Sequence, residues 1–192
     1  MLKTMPHTSL LPLPDDWLCP EHLPAGVRAL FTTRTGGVSA SPFDSFNLGD
    51  HVGDDLAAVA QNRARLSEVL RLRGAQAPVF LQQVHGTQVL QLNEDPPRTV
   101  VADACLTDLA GVVCTIMVAD CLPVLMCDAS GRWVAAAHAG WRGLAGDTGH
   151  GVLEALLAAA PLCDTEPDGI LVWLGPCIGP QAFEVGAEVV AA

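Results

Sequence analysis

Three short apolar runs between residues 112 and 138 constrain this chain more than any other feature. Residues 112–118, 122–127 and 132–138 are rich in valine, leucine, isoleucine and alanine, and they read as buried strands. The last two flank the turn Asp128-Ala129-Ser130-Gly131, which closes them into a hairpin. Cys121 and His138 then fall at the open ends of paired strands, which makes them near neighbours although 17 positions separate them.

The rest of the chain alternates between both kinds of regular structure. Residues 54–73 read as a helix: Asp54 and Asp55 suit its positive N-terminal end, Leu56, Val59, Ala60, Leu66 and Leu70 recur at helical spacing, and Gly74 closes it. Residues 27–33, 79–83, 88–92 and 169–174 read as further strands, 150–160 as a helix stopped by Pro161, and 183–192 as helical. Residues 1–25 are proline-rich and are expected to run extended over the surface, anchored by Trp17 and Leu18, while 94–98 and 163–168 read as connections. The stretch 39–51 is polar, glycine-punctuated and too long for an idle connection, so it is expected to carry function.

Charge and cysteine usage narrow the class. With 21 acidic and 10 basic residues in 192, the formal net charge of −11 repels nucleic acid and anionic membrane surfaces, so neither is expected as a partner. Any anionic substrate would need a local arginine working against that field. Seven cysteines without paired spacing favour free thiols in a reducing compartment. No apolar run reaches the length of a membrane span or reads as a secretory leader, so a cytoplasmic location is expected. The length suits one domain, monomeric or weakly homo-oligomeric.

Three side chains stand out as candidate metal ligands: His85 in Gln83-Val84-His85-Gly86, Cys121 in Ala119-Asp120-Cys121-Leu122-Pro123, and His138 in His138-Ala139-Gly140-Trp141-Arg142. Two imidazoles and a thiolate fill three corners of a zinc tetrahedron and leave the fourth open. Each alone has a plainer reading, since a cysteine in an apolar strand is usually a small buried hydrophobe. Their small-residue settings carry the signal, because the spacings of 36 and 17 resemble no zinc finger. Arg34, at a Gly-Gly turn, and Arg142 are candidate oxyanion clamps, although surface charge is the commoner role of arginine. Asp120 reads either as an acceptor for a ligand imidazole or as a turn residue, and His51 and His150 as residues facing a cleft. No Walker or Rossmann fingerprint occurs, so no nucleotide cofactor is indicated.

Taken together, Thr33-Arg34-Thr35-Gly36-Gly37-Val38-Ser39, Phe46-Asn47-Leu48-Gly49-Asp50-His51-Val52-Gly53-Asp54, Gln83-Val84-His85-Gly86, Ala102-Asp103-Ala104, Ala119-Asp120-Cys121-Leu122-Pro123, His138-Ala139-Gly140-Trp141-Arg142-Gly143 and Gly175-Pro176-Cys177-Ile178-Gly179-Pro180 resemble the YfiH-like laccase-domain family. That family is also described as polyphenol oxidase, purine nucleoside phosphorylase and peptidoglycan editing factor. The resemblance runs through nearly the whole chain. It implies an α/β (α+β) layered sandwich with a mixed sheet and flanking helices over residues 1–192. It also implies zinc on His85, Cys121 and His138, with Asn47 and His51 toward the substrate.

The implied activities are phosphorolysis of purine nucleosides, cleavage of methylthioadenosine and deamination of adenosine, with phosphate as co-substrate. In this reading Cys121, Asp120, Arg34 and Arg142 form the catalytic set. Ala119 departs from the family's usual threonine, and family members continue beyond Ala192, so the chain is expected to be C-terminally incomplete. The family's other names give alternatives: copper replacing zinc on the same N and S donors, or a metal-free Cys121/His138 hydrolase. Six histidines with no His-X-His pair are too few for a multicopper cluster. A non-enzymatic structural zinc would need a fourth protein ligand, for which Cys105, Cys127 and Cys177 are candidates.

Overall fold

The computed structural model describes residues 13–95, 100–146, 149–160 and 169–191. The expectations for residues 1–12, 96–98, Pro161 and 163–168 lie outside the described residues. Its elements are α1 (Leu56–Arg71), β1 (Val89–Gln91), β2 (Ala104–Thr107), β3 (Leu122–Asp128), β4 (Val134–Ala139), α2 (Trp141–Ala145), α3 (Val152–Ala159), β5 (Ile170–Leu174) and α4 (Ala187–Val190). They fall into two compact units: a smaller one built from Met1–Leu18 and Thr32–Ala77, and a larger one from Cys19–Phe31 and Pro78–Ala192.

The larger unit holds a mixed five-stranded sheet in the order β1-β2-β4-β3-β5, parallel between β1 and β2 and antiparallel elsewhere. The expected hairpin is β3–β4, with Leu122 opposite Ala139 and Pro123 opposite His138. Its turn forms because Gly131 adopts φ +71° and donates its N–H to the Asp128 carbonyl at 2.9 Å. The buried Asp128 carboxylate accepts from the Arg132 backbone N–H and from Arg132 Nε at 2.7 Å. Burial alone would raise this carboxyl's pKa, but the Arg132 bonds and charge outweigh it and hold the group below its ordinary value.

Period-two alternation gives the sheet two apolar faces. Ala104, Leu106, Val124, Met126, Ala135, Ala137 and Ala139 pack with Trp133 against α3, which presents Val152 and Leu156 one turn apart. Cys105, Ala136 and Leu125 face the other way, toward Leu81, Leu92, Ala102 and Val112. The alanines of β4 let both layers approach closely. Among the described residues, no helix is long and apolar enough to cross a membrane.

Several expected strands are not ladders. Residues 112–118 form no strand, although Val112, Cys114 and Ile116 alternate inward onto the second sheet face. A side chain takes the place of a strand neighbour there: the Gln83 amide donates to the Met117 carbonyl and accepts from the Met117 N–H, each at 2.7 Å. Residues 79–83 contribute one bridge, Gln82 to Val101, and 27–33 form no strand. β2 and α2 escape a sequence reading, because four residues and five residues are too short for periodicity to register. The final helical segment is confined to Ala187–Val190.

In the smaller unit, α1 begins where the Asp55 carboxylate accepts from the Ala57 N–H at 2.9 Å and ends in a turn through Gly74 at φ +79°. Its buried stripe is Val59, Asn62 and Leu66, whereas Leu56 is exposed. Asn62 anchors the long loop: its Nδ2 donates to Ser39 Oγ, the Ser45 carbonyl and the Asn47 carbonyl, and its Oδ1 accepts from the Val38 N–H. Trp17 is buried and lies 5.8 Å from the Phe46 ring, while the other expected anchor, Leu18, is exposed.

Candidate metal centre

His85, Cys121 and His138 converge. One donor atom from each lies within 4.8 Å of the other two, with Cys121 Sγ 3.7 Å from His85 Nε2 and the two rings 4.7 Å apart edge to face. Three different local structures deliver them. Cys121 immediately precedes β3, His138 is the penultimate residue of β4, and antiparallel pairing in the hairpin sets those strand ends side by side. His85 sits in a bend, with φ +62°.

What holds that turn is Asp103, a fully buried carboxylate at the threshold of β2. Its Oδ2 accepts from the N–H groups of Val84 at 3.2 Å and Gly86 at 2.7 Å, and its Oδ1 accepts from the His85 N–H at 2.9 Å. His138 Nδ1 lies 2.9 Å from the same Oδ1, so this ring nitrogen is the donor and Nε2 is left with its lone pair toward the cluster. Asp103, rather than Asp120, is thus the acceptor for a ligand imidazole. The sequence carries a signal for it: an acid enclosed by Val-Ala and Ala-Cys-Leu is a buried charge that must have partners.

Space beside the cluster comes from Gly140. Its φ of −69° suits any residue, but a Cβ there would lie 2.8 Å from His85 Cδ2 and 3.0 Å from Cys121 Sγ. The His85 and Cys121 side chains occupy the place a Cβ would take. Gly143 has an equivalent role three residues later, where a Cβ would stand 3.1 Å from the Gly86 carbonyl. These two glycines seat α2 against the His85 turn.

The donor chemistry fits a metal. Burial, with the neighbouring His138, lowers the His85 pKa, which favours the neutral imidazole that can coordinate. Burial also pushes the Cys121 thiol up, reinforced by the carboxylates of Asp120 and Asp103, so the free thiolate is disfavoured until a cation compensates it. Among the described residues no fourth His, Cys, Asp or Glu joins the cluster. Cys105 and Cys127 are buried in the sheet, and Cys177 is exposed.

Beside the centre, His85, Gly86, Thr87, Trp141, Arg142, Ala145 and Gly146 line an open cleft of about 360 Å³. The exposed Arg142 guanidinium lies over the Trp141 ring at 4.3 Å, and its charge contributes to lowering the His85 pKa. Asp120 is exposed, and its carbonyl accepts from the Ile178 N–H at 2.9 Å. His150 is exposed ahead of α3.

Arg34, Asn47 and His51 belong to the smaller unit. The Arg34 guanidinium engages Asp44, with Nε 2.9 Å from its carbonyl and Nη2 3.4 Å from its carboxylate. The Asn47 amide is consumed in its own loop, donating to the Gly49 carbonyl and Asp54 and accepting from the Gly49 N–H. His51 is exposed and lies 3.7 Å from the Asp50 carboxylate.

A family model described as multi-copper polyphenol oxidoreductase laccase matches residues 28–192. A Pseudomonas aeruginosa protein named purine nucleoside phosphorylase is 56% identical over 90% of this chain and 66% of its own length. The Escherichia coli purine nucleoside phosphorylase YfiH is 51% identical over 86% of this chain and 65% of its own. The chain therefore spans slightly under two thirds of these relatives. A crystal structure of a Neisseria meningitidis protein superposes with a TM-score of 0.79 at 45% identity, covering 91% of this chain and 68% of that one.

Proposed function

Because the chain belongs to the multi-copper polyphenol oxidoreductase laccase family, we propose that it is a zinc-dependent enzyme of purine nucleosides. Phosphorolysis is its main reaction, with methylthioadenosine phosphorolysis and adenosine deamination at the same centre. The observation that carries the proposal is the open three-donor cluster of His85, Cys121 and His138 in a chain whose relatives are named purine nucleoside phosphorylases.

A zinc ion held by His85, Cys121 and His138 would supply Lewis acidity to the centre. The chain's own residues do the rest. His85 and His138 present imidazole nitrogens to the cluster, and the absence of a side chain at Gly140 keeps the space beside His85 and Cys121 clear. Arg142 offers two parallel N–H groups to a phosphate oxyanion in the adjoining cleft. In phosphorolysis a phosphate oxygen bonds to ribose C1′ as the bond from C1′ to the base nitrogen breaks, and that nitrogen takes a proton. Arg34, Asn47, His51 and Asp120 remain proposed contributors to substrate contact.

Two readings compete. Copper at the same donors would give phenol oxidation, and the family's description favours keeping it as a test. A metal-free Cys121 nucleophile is disfavoured by the upward push on its thiol.

The decisive experiment is metal analysis of the purified chain followed by product detection with adenosine, with and without phosphate. Adenine formed only with phosphate, on zinc-containing protein, is the expected result. Inosine without adenine would restrict the reaction to deamination, and absence of any nucleoside turnover would overturn the proposal.

A further inference from the structure

We infer that Asp103 is a positioning residue that assembles the metal centre, locking both histidine ligands with one carboxylate. The inference rests on reading His85, Cys121 and His138 as the ligand set.

Its basis is the geometry around a single side chain. Three consecutive backbone N–H groups, from Val84, His85 and Gly86, converge on the Asp103 oxygens. Successive N–H groups in such a turn form a concave site for an anion, and Asp103 supplies that anion from within the chain. The turn holds His85 at φ +62°, a conformation uncommon for a side-chain-bearing residue, which persists only where surrounding bonds over-determine it. The same carboxylate receives His138 Nδ1. Asp103 grips His138 a second time through the backbone, where its carbonyl accepts the His138 N–H at 2.7 Å. Ring and main chain of one ligand, and the main chain of the other, are therefore registered to one residue.

The chemistry demands a carboxylate. Four donors surround two oxygens, so every lone-pair direction in use faces an N–H. An Asn amide in the same place would keep one oxygen acceptor and, in either orientation, turn its NH₂ toward at least one backbone N–H, which can only donate. The three N–H groups of the turn could not all be satisfied, and the imidazole could switch tautomer to accept at Nδ1. With His138 free to donate from Nε2 instead, the nitrogen that should face the ion would carry a proton.

Two variants test this. Asp103→Asn, measured by zinc competition against a chromophoric chelator, should bind zinc about 10–100-fold more weakly than the parent chain. Asp103→Glu, which retains charge but lengthens the reach, should recover some of the loss. Folded Asp103→Asn protein with unchanged zinc affinity would overturn the inference.

Should the variants fail to fold, long-range ¹H–¹⁵N spectra of the metal-free parent decide instead. His138 is expected as the Nδ1–H tautomer with slow solvent exchange, and an Nε2–H tautomer would refute the assignment. If the parent itself binds no zinc, the metal reading falls, while the tautomer result still reports on Asp103 alone.

Discussion

Gly140 shows how much of a ligand site can be specified by a missing atom. Its backbone angles would accept alanine without strain, so the cost of Gly140→Ala falls on the two ligands its Cβ would touch. The expected outcome is at least about a tenfold loss of zinc affinity, as when a ligand's supporting shell is disturbed, with the melting temperature nearly unchanged; isothermal titration beside a thermal scan checks it. Cys121 sets a pH dependence of opposite sign to that of ordinary acid activation. Its thiol is pushed up by burial and by Asp120 and Asp103, and coordination requires the thiolate, so zinc affinity should rise with pH through the neutral range. Competition titrations at several pH values should show one proton released per ion bound. At this scale the three converging donors were legible in the sequence because each stood beside small residues. Asp103 was not legible as their brace, because a buried acid shows its partners only when the strands are paired.

The two units rest on polar anchors as much as on apolar stripes. α1 was legible from its caps and spacing, yet the residue at the centre of its buried face is Asn62, which helical periodicity counts as polar. Replacing Asn62 with Ala strips partners from the Val38 N–H and from the Ser45 and Asn47 carbonyls. The loss should destabilise the unit by about 3 kcal/mol, seen as reduced hydrogen-exchange protection across residues 38–47. The β3–β4 turn carries a pH signature. Asp128 has a depressed pKa in the folded state, so its contribution is present above the unfolded value and lost as pH falls through the folded one. Asp128→Asn should therefore lower the melting temperature at neutral pH and converge on the parent in acid. Residues 112–118 have the composition of a strand without its ladder, because Gln83 satisfies Met117 where a neighbouring strand would. Composition registers burial, and cannot register which group supplies the hydrogen bonds.

For the whole molecule, the residues by themselves showed the β3–β4 hairpin and α1, while the α+β class and the mixed sheet were legible through the resemblance to a known family. The sheet order was not, since β1 and β2 are too short to be read locally and β2 pairs with β4 across a long sequence separation. Both faces of that sheet are filled by side chains that make no use of an ion. Chelation should therefore abolish the proposed nucleoside turnover while leaving the circular dichroism spectrum intact; unfolding on chelation would identify a structural zinc instead. The separation of the ligands along the chain has a further bearing on biogenesis. A ribosome-bound fragment that has not yet emitted residue 138 lacks one donor, and one whose β2 and β4 have not met lacks the brace that orients it. Binding of an ion by the complete three-donor set would accordingly follow chain collapse, and chain folded without the ion should still be able to take it up afterwards.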